Sequence, residues 1–147
     1  MSITSSSFWQ FSSRHYGKPG VAPACLALQD NHGANINLLL LLLMLEQQGL
    51  TVPLAPFNNR ALQRARLFDQ WRDLRKNLKH DLPSEQYQQL LQHELELERW
   101  QQAELLQVLD EHPAVTGSGA LLTYLTQSGV ADAPLWQARL AGTLQEK

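Results

Sequence analysis

Five side chains able to hold a ligand or carry a proton crowd into nine residues, "QDNHGANIN" at 29–37: Gln29, Asp30, His32, Asn35 and Asn37. Asp30 or His32 could serve as general acid or base, and the three amides could orient a polar ligand. The same residue types also end and begin helices. Gly33 suits the left-handed conformation that closes one helix, and the Asn35 side chain can accept a backbone N–H at the start of the next. Capping needs fewer assumptions, and a ligand pocket at this junction is the competing reading. Asn37 falls on the same side of a helix as Leu41 and Met44, so burial of that side obliges its amide to find a partner.

Elsewhere the chemistry is sparse. The chain has no G-x-S-x-G elbow, no phosphate-cradling glycine loop and no H-E-x-x-H, so no catalytic residue is assigned. His15, His32, His80, His93 and His112 are dispersed, and His80 and His112 fall at expected helix C-termini, where the helix dipole favours a cation. Cys25 is the single cysteine; it has no disulfide or CxxC partner and reads as a small buried apolar residue. A di-iron bundle would show Glu-x-x-His pairs on two helices, and only His93 and Glu96 stand three apart, in reverse order. Neither a metal nor another cofactor is expected.

The elements that must position the junction are helical. Glycine and proline cut the chain into helix-length pieces, none with the alternation or β-branched clustering of a strand. A first helix is expected over residues 7–16. A second begins at Pro19 and carries Val21, Cys25 and Leu28 toward the junction. The eight residues from Leu38 to Leu45 are apolar without a break. That run is far short of the ~20 residues needed to cross a bilayer, and its leucines point in every direction, the pattern of a helix enclosed by its own protein. A central helix is therefore expected over 35–48. "LTVPLAP" follows as an extended connector, because each proline disfavours helix in the residue before it.

Two long helices are then expected over 58–81 and 84–111, joined by "DLPSEQ", where Pro83 forbids continuation and Ser84 can cap. So short a joint makes them an antiparallel hairpin. The first carries seven bases, from Arg60 to Lys79, and the second seven acids with Arg99 as its only base. On one, Phe57, Leu67, Phe68, Trp71, Leu74 and Leu78 form an apolar arc that Arg64 and Arg75 interrupt; on the other, Glu94 and Glu98 interrupt the arc. Folding about Pro83 would bring Arg64 to Glu98, and Arg72 or Arg75 to Glu94. Trp100 falls outside its helix's arc, so it either packs on a neighbouring helix or sits exposed as a partner contact. A shorter helix is expected over 118–127, and a last one after Asp132 with Pro134 in its first turn.

The whole reads as an all-α, single-domain helical bundle of about seven helices over residues 1–147. Its parts are signature helices over 7–49, a hairpin over 58–111 and C-terminal helices over 118–147. The net charge of −2 and the acidic partner beside the basic helix argue against nucleic acid, and no segment is expected to cross a membrane. "MSITSSSFWQF" is not a signal peptide in character, which suggests a cytoplasmic protein.

The stretch "FWQFSSRHYGKPGVAPACLALQDNHGANINLLLLLL", from Phe8 to Leu43, resembles the N-terminal signature of a family of short uncharacterised proteobacterial proteins. That signature runs F-W-x-F-S, Y-x-x-P-G-V, C-L-x-L-Q-D, a glycine, then N-L-L-L, and it covers about a quarter of the chain. At Asn35 the family more often has an acidic residue; both types cap helices. The resemblance implies a small bacterial helical protein and no particular activity. The leading expectation is thus a non-enzymatic module that acts through a protein partner or by self-association. The alternative is a small-molecule or cofactor binder with its pocket at Gln29–Asn37.

Overall fold

The computed structural model describes residues 3–142. It contains helices α1 (Ser5–Tyr16), α2 (Val21–His32), α3 (Ile36–Gln47), α4 (Leu54–Leu78), α5 (Ser84–Glu111), α6 (Ala120–Gln127) and α7 (Ala133–Ala141). Two short strands, β1 (Leu50–Thr51) and β2 (Val115–Thr116), pair antiparallel. The class is all-α, with seven helices among the described residues. The expected C-terminal segment extends past 142, and that part lies outside them.

Everything is built around α3. Leu38 through Leu45 are all buried, most of them completely, so this helix has no wet side. α1, α2, α4, α5 and α6 pack against it, and β1 follows directly from its C-terminus. Its ends match their residues. Gly33 closes α2 with φ 67°, which a glycine adopts at no steric cost, and the Asn35 side chain accepts the Leu38 N–H at 2.9 Å. At the other end the Glu46 carboxylate accepts the Gly119 N–H at 3.2 Å and so ties α3 to the loop before α6.

Several expected boundaries move. α1 starts earlier, at Ser5, because Thr4 and Ser7 form a reciprocal capping box. Pro19 lies before α2 rather than in its first turn; Gly20 takes the N-cap with φ 82°, and Pro23 occupies the first turn instead. The connector "LTVPLAP" is not wholly extended. Its Leu50–Thr51 pairs with Val115–Thr116, and α4 already begins at Leu54. Pro56 sits in that first turn, where its missing N–H leaves no helical bond unmade. Ser84 is the first residue of α5 rather than its cap, and Asp132 precedes α7 without a side-chain cap bond.

α4 and α5 form the long antiparallel hairpin. From residue 69 to 100 neither helix holds a fully buried side chain. Two members of the expected apolar arc, Leu67 and Leu74, are accordingly 60% and 52% exposed. No helix among the described residues is long and apolar enough to cross a membrane. The placement of α3 predicts that Leu41→Asp will abolish cooperative unfolding, because it puts an unpaired charge where exposure is zero. Urea titration followed by circular dichroism checks this; a stable, cooperative variant would contradict the enclosure of α3.

Candidate functional site

Where α2 ends and α3 begins, the chain faces the middle of the hairpin across a cavity of about 250 Å³. Gln29, His32, Asn35 and Asn37 line it, so four of the five side chains singled out at the junction meet there. Asp30 does not: it is exposed and lies outside the cavity. Ala61, Ala65 and Phe68 of α4 supply an apolar wall, and Glu98 and Gln101 of α5 supply polar groups. The backbone N–H of Asn35 donates to the Tyr124 hydroxyl at 2.9 Å, which anchors the α3 N-terminus to α6. Burial pushes that phenol up from its ordinary pKa, against the lowering effect of the same bond.

Asn37 is only 8% exposed, and its amide has found the partners that burial demands. Its Nδ2 donates to Gln101 Oε1 at 2.8 Å, and its Oδ1 accepts from Gln102 Nε2 at 3.0 Å. Gln102 Nε2 also donates to Ser12 Oγ at 3.0 Å. A ladder of side-chain bonds thus runs from α1 through α5 to α3 and back to α5. The adjacent glutamines of α5 read in sequence as part of a polar patch. The available signal was their place one turn before the apolar pair Leu105 and Leu106, on a face that packs inward.

The ladder ends unfinished on both sides. Among the described residues three buried side-chain polar atoms have no hydrogen-bond partner: Gln101 Nε2, Gln102 Oε1 and Trp71 Nε1. Gln101 lines the junction cavity. Gln102 lines a second cavity of about 240 Å³, walled by α1, α3 and α5. Trp71 lines neither and lies beside the His93 ring. Ile36, Asn37 and Glu98 border both cavities.

The charges settle differently from the expected pairing. Arg75 Nε donates to Glu94 at 2.9 Å, as anticipated, and Arg75 Nη1 reaches the Tyr87 hydroxyl at 3.1 Å. Arg64, however, pairs with Glu104 at 3.3 Å and not with Glu98, and Arg72 pairs with Asp69 on its own helix. The hairpin still folds about Pro83, and within it Arg64 reaches along α5 to Glu104 instead of Glu98. Glu98 consequently has no hydrogen-bond or ion-pair partner among the described residues. Burial pushes its carboxyl above the ordinary range, the nearby Glu94 adds to this, and Arg72 and Arg75 oppose it.

Trp100 is 45% exposed. It stays on the hairpin, with the Arg64 guanidinium 5.0 Å from its ring centre and Phe68 stacked at 6.3 Å, and does not enter the core. His15 is buried against the Leu140 carbonyl and the Phe11 ring, in a structural role. The Cys25 thiol is wholly buried and pushed up to about 12, and it lines neither cavity. No group of three or more His, Cys, Asp or Glu side chains among the described residues could hold a metal ion.

A carboxyl whose folded pKa is raised binds its proton more tightly in the folded state, so it lowers stability as pH rises from its unfolded value through its folded one. Glu98→Gln removes that cost. The variant is expected to unfold at higher urea concentration than the parent near neutral pH, with the difference vanishing below the ordinary glutamate pKa of 4.5. Paired urea titrations across pH check the sign; equal stability near neutrality would mean that Glu98 is well solvated.

No curated protein and no solved structure matches the chain. Residues 7–105 match the family DUF2390, whose description is "Protein of unknown function". The matched span runs from α1 to Leu105, so it takes in the junction, the hairpin and every residue of the amide ladder. With two thirds of its length matched, the chain belongs to DUF2390, a family of proteins of unknown function.

Proposed function

We propose that the protein binds a small polar organic molecule in the junction cavity. The observation that carries this is the Gln101 amide, whose Nε2 is buried and unpartnered beside a space bordered by His32, Asn35 and Asn37. A buried donor without a partner is costly, and a ligand oxygen placed there would remove the cost. An apolar wall with a few converging polar groups is the usual composition of a small-ligand site. At about 250 Å³ the space lies below the usual range of ~300–1,000 Å³, which restricts the occupant to a small metabolite. The bacterial, cytoplasmic setting expected from the sequence belongs to the same proposal.

The test is native mass spectrometry of the protein purified gently from its own cells, before and after denaturation. The expected result is an added mass below about a kilodalton, released on denaturation and missing from Gln101→Leu. A bare parent chain that is folded by circular dichroism would overturn the reading.

Action through a protein partner or by self-association is the reading the sequence alone places first, and a separate observation favours self-association. Leu67 and Leu74 stand two turns apart on α4, and each is more than half exposed. The occupant that fits is a second copy of this chain, since the basic α4 of one copy would meet the acidic α5 of the other. Sedimentation velocity is then expected to show a dimer at micromolar concentration and a monomer for the Leu67→Glu, Leu74→Glu double variant. A monomeric parent removes this reading.

A further inference from the structure

We propose that the second cavity, between α1, α3 and α5, is a binding site for a primary ammonium group, held by the Glu98 carboxylate and the Gln102 carbonyl oxygen. This site does not depend on occupancy of the junction cavity, although Glu98 borders both. Its one charged group, Glu98, has no ion-pair partner, and its buried unpartnered atom is an acceptor. Gln102 is 2% exposed, and its Oε1 has no hydrogen-bond partner.

The Nε2 of that amide donates to Ser12 Oγ and to Asn37 Oδ1, which leaves Oε1 as its free end. Asn37 in turn donates to Gln101. Reversing Gln102 alone would turn an oxygen toward the Asn37 oxygen.

Glu98 is the second acceptor. The half-buried carboxylates beside it on α5 each have a base: Glu94 has Arg75, and Glu104 has Arg64 and Arg60. Glu98 has none. The arginines that could serve it are engaged, Arg72 by Asp69 and Arg75 by Glu94 and Tyr87. Arg99 is occupied over the Trp9 ring at 4.9 Å.

No base lines the cavity and its one charged group is a carboxylate, so it favours a cation that can also donate to the Gln102 oxygen. An ammonium has three N–H donors and no acceptor, whereas a hydroxyl gives one and a carboxylate gives none. An anion would also meet the charge of Glu98. The remaining walls suit the body of such a molecule: Leu40 and Leu95 are apolar, and the aromatic side chains of Trp9 and Tyr16 border the same space. The ligand class is therefore a small primary amine with a short apolar body.

Three four-carbon probes separate the chemistries: n-butylamine, 1-butanol and butyrate. Each is titrated into isotopically labelled protein near neutral pH while the Trp9 indole N–H and the Gln102 side-chain NH₂ signals are followed by NMR. The amine is expected to shift both signals saturably and to bind at least roughly tenfold more tightly than either control. Glu98→Gln, which keeps the shape and removes the charge, is expected to lose that preference. His32→Ala, which borders only the junction cavity and stands outside the amide ladder, is expected to keep it, which separates failure here from failure at the junction cavity. Equal binding of butanol would mean an apolar hole only, and no saturable shift from the amine would mean that solvent alone fills it. Either result, or an unchanged preference in Glu98→Gln, overturns the proposal.

Discussion

An unbroken apolar run on a short helix cannot leave any side to water, and the rest of this structure answers that constraint. Each buried leucine contributes about 1.5–3 kcal/mol, so Leu38 to Leu45 together outweigh any single polar contact in the molecule. Enclosure on all sides needs more walls than one hairpin provides, which is why α1, α2 and α6 are gathered around α3 along with the inner ends of α4 and α5. The outer half of the hairpin is what remains once that shell is closed, and no side chain from residue 69 to 100 is fully buried.

The same constraint creates the polar site. Asn37 sits in the first turn of α3, and enclosing the helix drags its amide indoors with the leucines. A net hydrogen bond is worth about 1 kcal/mol, too little to steer the packing, whereas a buried amide left unpaired costs about 1–3 kcal/mol. Partners must therefore come to it. Gln101 and Gln102 fill that role from α5, and Ser12 from α1. Each glutamine has one end satisfied by Asn37 and the other turned toward a cavity, so the two cavities are the far ends of one solution to the burial of Asn37.

What could be seen in the sequence follows from the range of the interactions. The Leu38–Leu45 run, the Gly33 terminus and the Asn35 cap are local, and each residue type states its own requirement. The convergence of Gln29, His32, Asn35 and Asn37 was visible for the same reason, since nine consecutive residues cannot separate far. Gln101 and Gln102 could not be seen: their role depends on a residue more than sixty positions away, and glutamine on a helix is ordinarily a solvated residue. The pairing of Leu50–Thr51 with Val115–Thr116 was hidden likewise, because two residues are too few to show alternation. Leu67 and Leu74 misled for a different reason. Periodicity assigns a face to a helix but not a partner to that face, and here both leucines are more than half exposed.

The register of the hairpin shows which interactions decide when they compete. A slip of about one turn would move the α5 side chains by about 5 Å and bring Glu98 within reach of Arg64. That slip would carry Gln101 and Gln102 past Asn37 and withdraw Leu105, which is fully buried, from the core. An ion pair whose arginine is as exposed as Arg64 contributes about 0–1 kcal/mol, less than one buried leucine. The core and the amide ladder therefore set the register, the arginines take whichever carboxylates that register presents, and Glu98 is left between the two cavities without a base. An unpaired carboxylate at this point is the direct consequence of packing α3 first.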